Sequence, residues 1–447
     1  MASRRILFFA FAFAVMADPV SSVAYAIEAA LRALNGHLEL LVPTMGLVIG
    51  IIALVTLNYW QLIRAFPEGG GSPEAAGRAF GEEWSFVPIG ALIVDFALTI
   101  AISVAAAVSA LIAYVPVLAA TRIPLALGLI ALVAAMTWFG HGGRLVFALM
   151  TSLFIVAAVA VLAVGATSPH TAHGSAPITG SASPALVAVV LAFPVAMALA
   201  TGTEAPATSI AQLGQLDTRG RARFGQWTLG LTIVIVGVLT MALTALTVHL
   251  HVGIPGPDDT QIANLARAAA GGGGLFAAFQ LSSSLLLLAA ASSSFQAGPG
   301  LLKALARSGP NGEPGLLPAR LWHTNRHHTP VAAVLVYALI SAAIILIARG
   351  SEQELVLVYA VAVFVSFLAG LLAMARFSRR RGARLLTALN IAGAIAVAFT
   401  LIVNLARGYP LLAIAGTLLI AGVLYWRWVR AGRPRGIEAI ERKAEAD

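Results

Sequence analysis

The sequence predicts an all-α integral membrane protein with twelve transmembrane helices. Of its 447 residues, 59% are hydrophobic and 11% are charged, whereas a soluble domain carries about 25% charged residues. The mean hydropathy is +0.90, and apolar stretches recur along the whole chain. Twelve helices of about 20 residues fill just over half of the chain and leave short connections. These observations exclude a soluble enzyme of two or three domains.

The predicted spans are apolar stretches separated by residues that favour turns. They lie at about 6–31, 40–63, 87–115, 123–140, 144–165, 184–212, 226–248, 275–297, 329–348, 353–375, 384–405 and 409–428. The breaks richest in glycine, proline and serine are predicted as loops at 66–77, 168–183, 253–259 and 308–315. Because the loops are short, we expect no large domain outside the bilayer.

The distribution of basic residues predicts the orientation of the chain. Lys and Arg number 28 against 19 Asp and Glu, which gives a net charge of +9. Twenty-three of the 28 fall in alternate segments that place both termini in the cytoplasm, as the positive-inside rule requires. The other five are outside, at Arg32, Arg122, Arg267, Arg349 and Arg407. The basic charge therefore indicates anionic lipid rather than nucleic acid, and the short loops indicate a bacterial inner membrane.

The N-terminus has a second interpretation, because residues 1–16 combine two arginines with an apolar run like a secretory signal. The apolar character resumes at 20–34 after a brief interruption. Removal of the segment would leave eleven spans and reverse the charge rule. The sequence therefore predicts a retained first helix.

Three acidic residues stand out inside the predicted spans, because a carboxylate costs about 2.5 kcal/mol or more at a helix centre. They are Asp18 in span 1, Asp95 in span 3 and Glu204 in span 6. Such residues usually face a cavity and bind ions or protons, although a single buried acid can also bridge two helices. Three acids together favour a binding site at membrane depth.

Spans 1 and 6 also carry helix breakers next to these acids. Pro19 follows Asp18, and Gly202 and Pro206 flank Glu204. Interrupted helices five spans apart are typical of two inverted five-helix repeats with a substrate site between them. We therefore predict one transporter domain over 1–428, with repeats at about 6–165 and 184–375, two extra helices at about 384–428 and a short cytoplasmic tail at 429–447.

Four segments resemble the amino acid/polyamine/organocation superfamily, and most of all its KimA-type potassium/proton symporters. They are 18–25 (DPVSSVAY), 66–72 (FPEGGGS), 92–99 (LIVDFALT) and 201–204 (TGTE). The resemblance implies a LeuT-type fold and a potassium path lined by carboxylate, hydroxyl and carbonyl oxygens. It carries the binding role to Asp18, Tyr25, Asp95, Thr99, Ser103, Thr201 and Glu204. Asp95, Thr99 and Ser103 share one helix face by their spacing of four.

We expect proton-coupled uptake of potassium or another inorganic cation by alternating access, with Glu204 as the proton carrier. The alternative is a proton-coupled amino acid or polyamine permease of the same superfamily. Residues 17–22 lack the glycines whose backbone amides would hold a substrate carboxylate, which favours a cation. The predicted spans contain no nucleophilic side chain with a general base beside it. We therefore expect neither an enzyme nor a cofactor. The sequence is compatible with a homodimer and with a monomer.

Overall fold

The computed structural model describes residues 4–138, 144–170, 184–210, 213, 216–307, 315–408 and 411–433. The predicted tail beyond residue 433, most of the predicted loop at 168–183 and the ends of several predicted spans lie outside the described residues. The regular structure of the described part is helical.

Seventeen α-helices follow one another in the described part of the chain. The first ten are α1 (Arg4–Val15), α2 (Ala17–Ser21), α3 (Val23–Ala33), α4 (Leu41–Ala65), α5 (Gly71–Phe80), α6 (Phe86–Tyr114), α7 (Arg122–Trp138), α8 (Arg144–Thr167), α9 (Ala185–Ala196) and α10 (Ala205–Ser209). The others are α11 (Thr218–His249), α12 (Gln261–Ala270), α13 (Gly274–Ala306), α14 (Val331–Ile347), α15 (Glu352–Arg380), α16 (Arg384–Ala406) and α17 (Leu411–Arg430).

Ten helical stretches among the described residues are long and apolar enough to cross a membrane. The first predicted span consists of three short helices, α1 to α3, and the ninth is the 17-residue helix α14. The protein is therefore a multi-pass membrane protein. Its predicted second to eighth and tenth to twelfth spans coincide with apolar helices of membrane-crossing length.

Helix α6 is the centre of the helix bundle. In its stretch, 89% of the most apolar window is buried inside the protein, against 17% for the stretch that contains α7. Helices α13, α15 and α17 pack directly on α6. The face that carries Asp95 and Thr99 is thus enclosed by other helices and kept from lipid.

The structure corrects the predicted loop at 66–77, because helix α5 begins within it at Gly71. Gly70 has a φ of +87°, which turns the chain sharply before the helix. The residues that follow are mostly helix formers, and Glu74 forms an ion pair with Arg78 one turn later. The glycine run makes a tight turn, as expected, but the loop is shorter than the composition indicated.

Candidate functional site

The first predicted span is interrupted on both sides of Pro19. Helix α1 ends at Val15, and α3 begins at Val23 after the short helix α2. Proline cannot donate a backbone hydrogen bond, so the carbonyl four residues before Pro19, that of Val15, loses its helical partner. The Ser21 hydroxyl donates to the Asp18 carbonyl at 2.6 Å, and the Ser22 hydroxyl donates to the Pro19 carbonyl at 2.7 Å. The two serine hydroxyls thus bond backbone carbonyls within the short helix α2.

A second interruption separates α9 from α10. Between them lie a 3₁₀ turn over Met197–Ala200 and four residues in a turn conformation. Thr201 is extended, and Gly202 has a φ of +79°. The hydroxyls of Thr201 and Thr203 donate to the carbonyls of Ala198 and Ala200 at 2.7 and 2.6 Å. Glycine is needed here because side chains rarely tolerate this backbone conformation.

The two interruptions are in direct contact. A Cβ atom at Gly202 would lie 2.7 Å from the Pro19 nitrogen and 2.9 Å from the Asp18 Cγ. The Ser22 hydroxyl also approaches the Leu199 carbonyl at 3.2 Å. Segments 177 or more positions apart in sequence therefore meet at one place, and the absence of a side chain at Gly202 permits the contact.

The three acids found from the sequence are buried around this contact. Asp18 is 7% exposed, Asp95 2% and Glu204 4%. Each interacts electrostatically with the others. The Oδ1 atoms of Asp18 and Asp95 and the Oε2 atom of Glu204 have no hydrogen-bond partner among the described residues. Such oxygens are costly to bury as bare charges, so the arrangement suits a bound cation or proton.

The four hydroxyl residues predicted for the site are buried, and the structure adds the hydroxyl of Tyr359 to them. Tyr25, Thr99, Ser103 and Thr201 are at most 2% exposed. The Thr99 Oγ1 lies 2.9 Å from the hydroxyl of Tyr359, which belongs to α15. Tyr25 interacts with both Thr201 and Tyr359. We refer to the three acids with these five hydroxyl residues as the carboxylate cluster.

Tyr359 was missed because the sequence reasoning looked for acids and helix breaks. It lies in the first third of the tenth predicted span, where a buried hydroxyl group favours a polar partner. That preference does not single out one of the seven tyrosines, because a tyrosine ring is largely apolar. Its partner, Thr99, lies 260 positions away, and no periodicity in either span connects the two.

The carboxylate cluster is not a compact cage of acids. Within the described ranges, no three His, Cys, Asp or Glu side chains group closely enough to hold a metal ion. The carboxylate and hydroxyl oxygens of the cluster are nevertheless of the kind that can replace the hydration shell of a cation.

A cavity of about 810 Å³ opens at the end of the bundle that carries the predicted outer loops. Four of the five arginines predicted outside line it. Glu28, one turn beyond Tyr25, accepts hydrogen bonds from Arg32 at 2.8 Å and from the Gln261 backbone at 2.9 Å. We call it the outer cavity. It reaches from solvent to the helices that carry the cluster.

A second polar contact closes one wall of the outer cavity. Ser109 of α6 donates to the Glu352 Oε2 at 2.5 Å and accepts from Arg122 at 2.8 Å. Arg122 also contacts Asp258 at 3.1 Å. These contacts connect α6, α7 and α15 to the segment before α12. They balance the buried charge of Glu352 by an adjacent guanidinium group.

Comparison with known proteins was made by sequence and by structure. Residues 6–437 match the family described as Amino acid permease. The chain is 28% identical to the potassium transporter KimA of Bacillus subtilis strain 168, with 78% of this chain and 58% of KimA covered. The chain thus spans less than two thirds of that relative's length.

Solved structures with a similar fold include a manganese transporter of Eremococcus coleocola in two forms. A mutant form superposes with a TM-score of 0.52 at 13% identity and covers 97% of this chain and 96% of its own. A complex with an aromatic bis-isothiourea substituted compound gives 0.52 at 11% identity, with 97% of each chain covered. At these identities the likeness concerns the fold alone.

Proposed function

The chain belongs to the amino acid permease family, whose members are transporters of the amino acid/polyamine/organocation superfamily. We propose that it carries out proton-coupled uptake of potassium or another monovalent inorganic cation. The observation that carries the proposal is the carboxylate cluster itself. Three buried acids, each with one unpartnered oxygen, surround the contact between Pro19 and Gly202. A cation there would gain oxygen ligands and neutralise charges that are costly in the bilayer.

We further propose the membrane arrangement in which such a site would operate. It comprises twelve spans: two inverted five-helix repeats, whose first helices are broken, and two extra C-terminal helices. Both termini lie on the cytoplasmic side of a bacterial inner membrane. The interruptions at Pro19 and Gly202 support this arrangement, because they lie five predicted spans apart and meet in space.

In the proposed cycle, the cation enters through the outer cavity and is held by Asp18, Asp95 and Glu204 with the hydroxyls around them. One helix bundle then rocks against the other and exposes the site to the cytoplasm. Glu204 carries the proton, because a carboxylate cannot be protonated and balance a cation at the same time. Occupancy by the cation and by the proton would therefore be linked.

The proton role is tested by uptake of rubidium, as a tracer for potassium, into proteoliposomes that hold an imposed pH gradient. We expect the Glu204→Gln variant to lose gradient-driven accumulation, because the amide has nearly the same shape but cannot be protonated in this range. Glu83→Gln is the matched control, since that acid is exposed and does not line the outer cavity. Normal accumulation by the Glu204→Gln variant would rule out the role.

The alternative function is uptake of an amino acid or polyamine, which the family match favours directly. A panel of labelled amino acids and polyamines, measured beside rubidium in the same proteoliposomes, separates the two. Saturable rubidium flux supports the cation proposal. Saturable amino acid or polyamine uptake without cation flux would replace it with the permease function.

A further inference from the structure

A small cavity lies beside the two interruptions, between helices α4 and α11. Pro19 and Leu199 contribute one wall from the interrupted segments, and Thr56 of α4 and Thr232 of α11 contribute another. About 10 Å³ of it is open to the centre of a water-sized sphere, which is enough to hold a water molecule. We call it the threonine cavity.

Close packing of α4 on α11 brings the two threonines to the same level. A Cβ atom at Gly230 would lie 3.3 Å from the Trp60 ring, and one at Gly237 would lie 3.5 Å from Ile49. The helices therefore run antiparallel in contact. Thr56 falls between Trp60 and Ile49 on one helix, and Thr232 falls between the two glycines on the other.

Both threonine hydroxyls are buried without a protein partner. Thr56 is 6% exposed and Thr232 3%, and neither Oγ1 atom has a hydrogen-bond partner in the described part of the chain. Helical threonines commonly bond the carbonyl four positions earlier, as Thr44 of the same α4 does to Leu40 at 2.7 Å. A hydroxyl group buried without a partner is unfavourable, so two that face one cavity indicate a polar guest.

The lining of the threonine cavity identifies that guest. The side chains around it are apolar or hydroxyl-bearing, and no charged side chain from the described ranges lines it. A bare cation would find too few oxygens there and no compensating charge. Water both donates and accepts, and it fits the volume.

We propose that the threonine cavity binds one water molecule that bridges the hydroxyls of Thr56 and Thr232. The water supplies hydrogen bonding beside Pro19, where the backbone has no N–H group to give. It stabilises the contact of α4 and α11 at the level of the interruptions. This site is separate from the carboxylate cluster, and the proposal does not depend on which solute the protein transports.

The test is a thermal double-mutant cycle on the purified full-length protein, with Thr56→Val, Thr232→Val and the double variant unfolded at one fixed scan rate. Valine has nearly the same shape as threonine and lacks the hydroxyl. We expect each single variant to lower the apparent midpoint by about 1–3 °C. The double variant should fall no further than the lower of the two, because both hydroxyls share one water.

Thr240→Val is the matched control, because Thr240 is buried on the same helix without a hydrogen-bond partner among the described residues and is absent from the cavity lining. Its midpoint should stay unchanged or rise. If the cavity is dry, Thr56→Val and Thr232→Val will also raise the midpoint, and their effects will add. That result would overturn the proposal.

A second measurement separates water from a small cation. The midpoints are compared in sodium chloride and in an impermeant organic salt of equal ionic strength. We expect the difference between each single variant and the wild type to be the same in both salts. A sodium-dependent stabilisation lost in Thr232→Val and retained in Thr240→Val would assign the cavity to a cation and refute the water.

Discussion

The hydroxyl of Tyr359 connects α15 to the acid-bearing face of α6 through Thr99. The bond joins two side chains that are at most 2% exposed. A hydrogen bond of this kind contributes about 1 kcal/mol net, and more when its loss leaves a buried partner unsatisfied. The position of the Thr99 oxygen beside Asp95 therefore depends on a residue from a distant span.

We predict that Tyr359→Phe will raise the half-saturating concentration of the transported cation by about 3- to 10-fold, the equivalent of about 1 kcal/mol. Thr99→Val should have a similar effect, since it removes the other end of the same bond. Initial rates of rubidium uptake over a concentration series measure this. Tyr425→Phe is the control, because the Tyr425 side chain is exposed on α17 and its loss of a hydroxyl leaves the cluster unchanged. An unchanged concentration dependence in both test variants would contradict the prediction.

The acids of the site could be predicted residue by residue, and the hydroxyl of Tyr359 could not. Asp18, Asp95 and Glu204 stand out because ionisable side chains are costly in apolar spans. Tyrosine carries no such cost on a sequence scale, since its ring is apolar. Its role depends on which helix lies opposite, and that is decided by packing of the whole bundle.

At the scale of the elements, the close approach of the two interrupted helices depends on Gly202. Its φ of +79° lies in a region that disfavours every side chain with a Cβ atom. An added methyl group would also meet the Pro19 nitrogen at 2.7 Å, and the backbone there has little freedom to move. Strain and overlap therefore act together.

We expect Gly202→Ala to destabilise the protein by about 1–3 kcal/mol. The apparent melting midpoint of the detergent-solubilised protein, followed by size-exclusion chromatography, measures the effect. Gly50→Ala in α4 is the control, because a Cβ atom there meets nothing within 4 Å, and alanine favours a helix. Equal midpoints for Gly202→Ala and the wild type would show that the contact tolerates a side chain.

Proline and glycine predicted the places of both interruptions, because their backbone properties are local. The extent of α5 was not predicted, since its helix formers follow a glycine run that dominates the composition of 66–77. Helix α11 likewise begins at Thr218, before the predicted start at 226. Its first turn is polar and is stabilised by the Asp217 side chain, which accepts from the Gly220 amide at 3.1 Å. Hydropathy detects the apolar core of a helix and not its polar ends.

For the whole molecule, the absence of cysteine makes the proposed orientation directly testable. We predict that Gly256→Cys, at the rim of the outer cavity, will react with a membrane-impermeant maleimide in intact cells. Arg381→Cys, at the exposed end of α15, should react only after the membrane is opened. The labelled fraction on a gel is the readout, and the unmodified protein is the blank. The reverse pattern would invert the orientation.

The fold class followed from hydropathy and composition, and the family likeness extends over nearly all of the chain. The described residues contain ten apolar stretches of membrane-crossing length. The first span is not among these ten, because it is divided into three short helices around Pro19. Helix α14, with 17 residues, is also too short to be included. Length thresholds thus fail where function or packing shortens a helix.

The depth of the carboxylate cluster matters for a cell that stores energy as ion gradients. Any continuous aqueous passage through a membrane discharges those gradients. All eight members of the cluster are at most 7% exposed in this conformation, so their oxygens do not line an open aqueous passage. A cell can therefore keep many copies of such a protein in its membrane without dissipating its ion gradients.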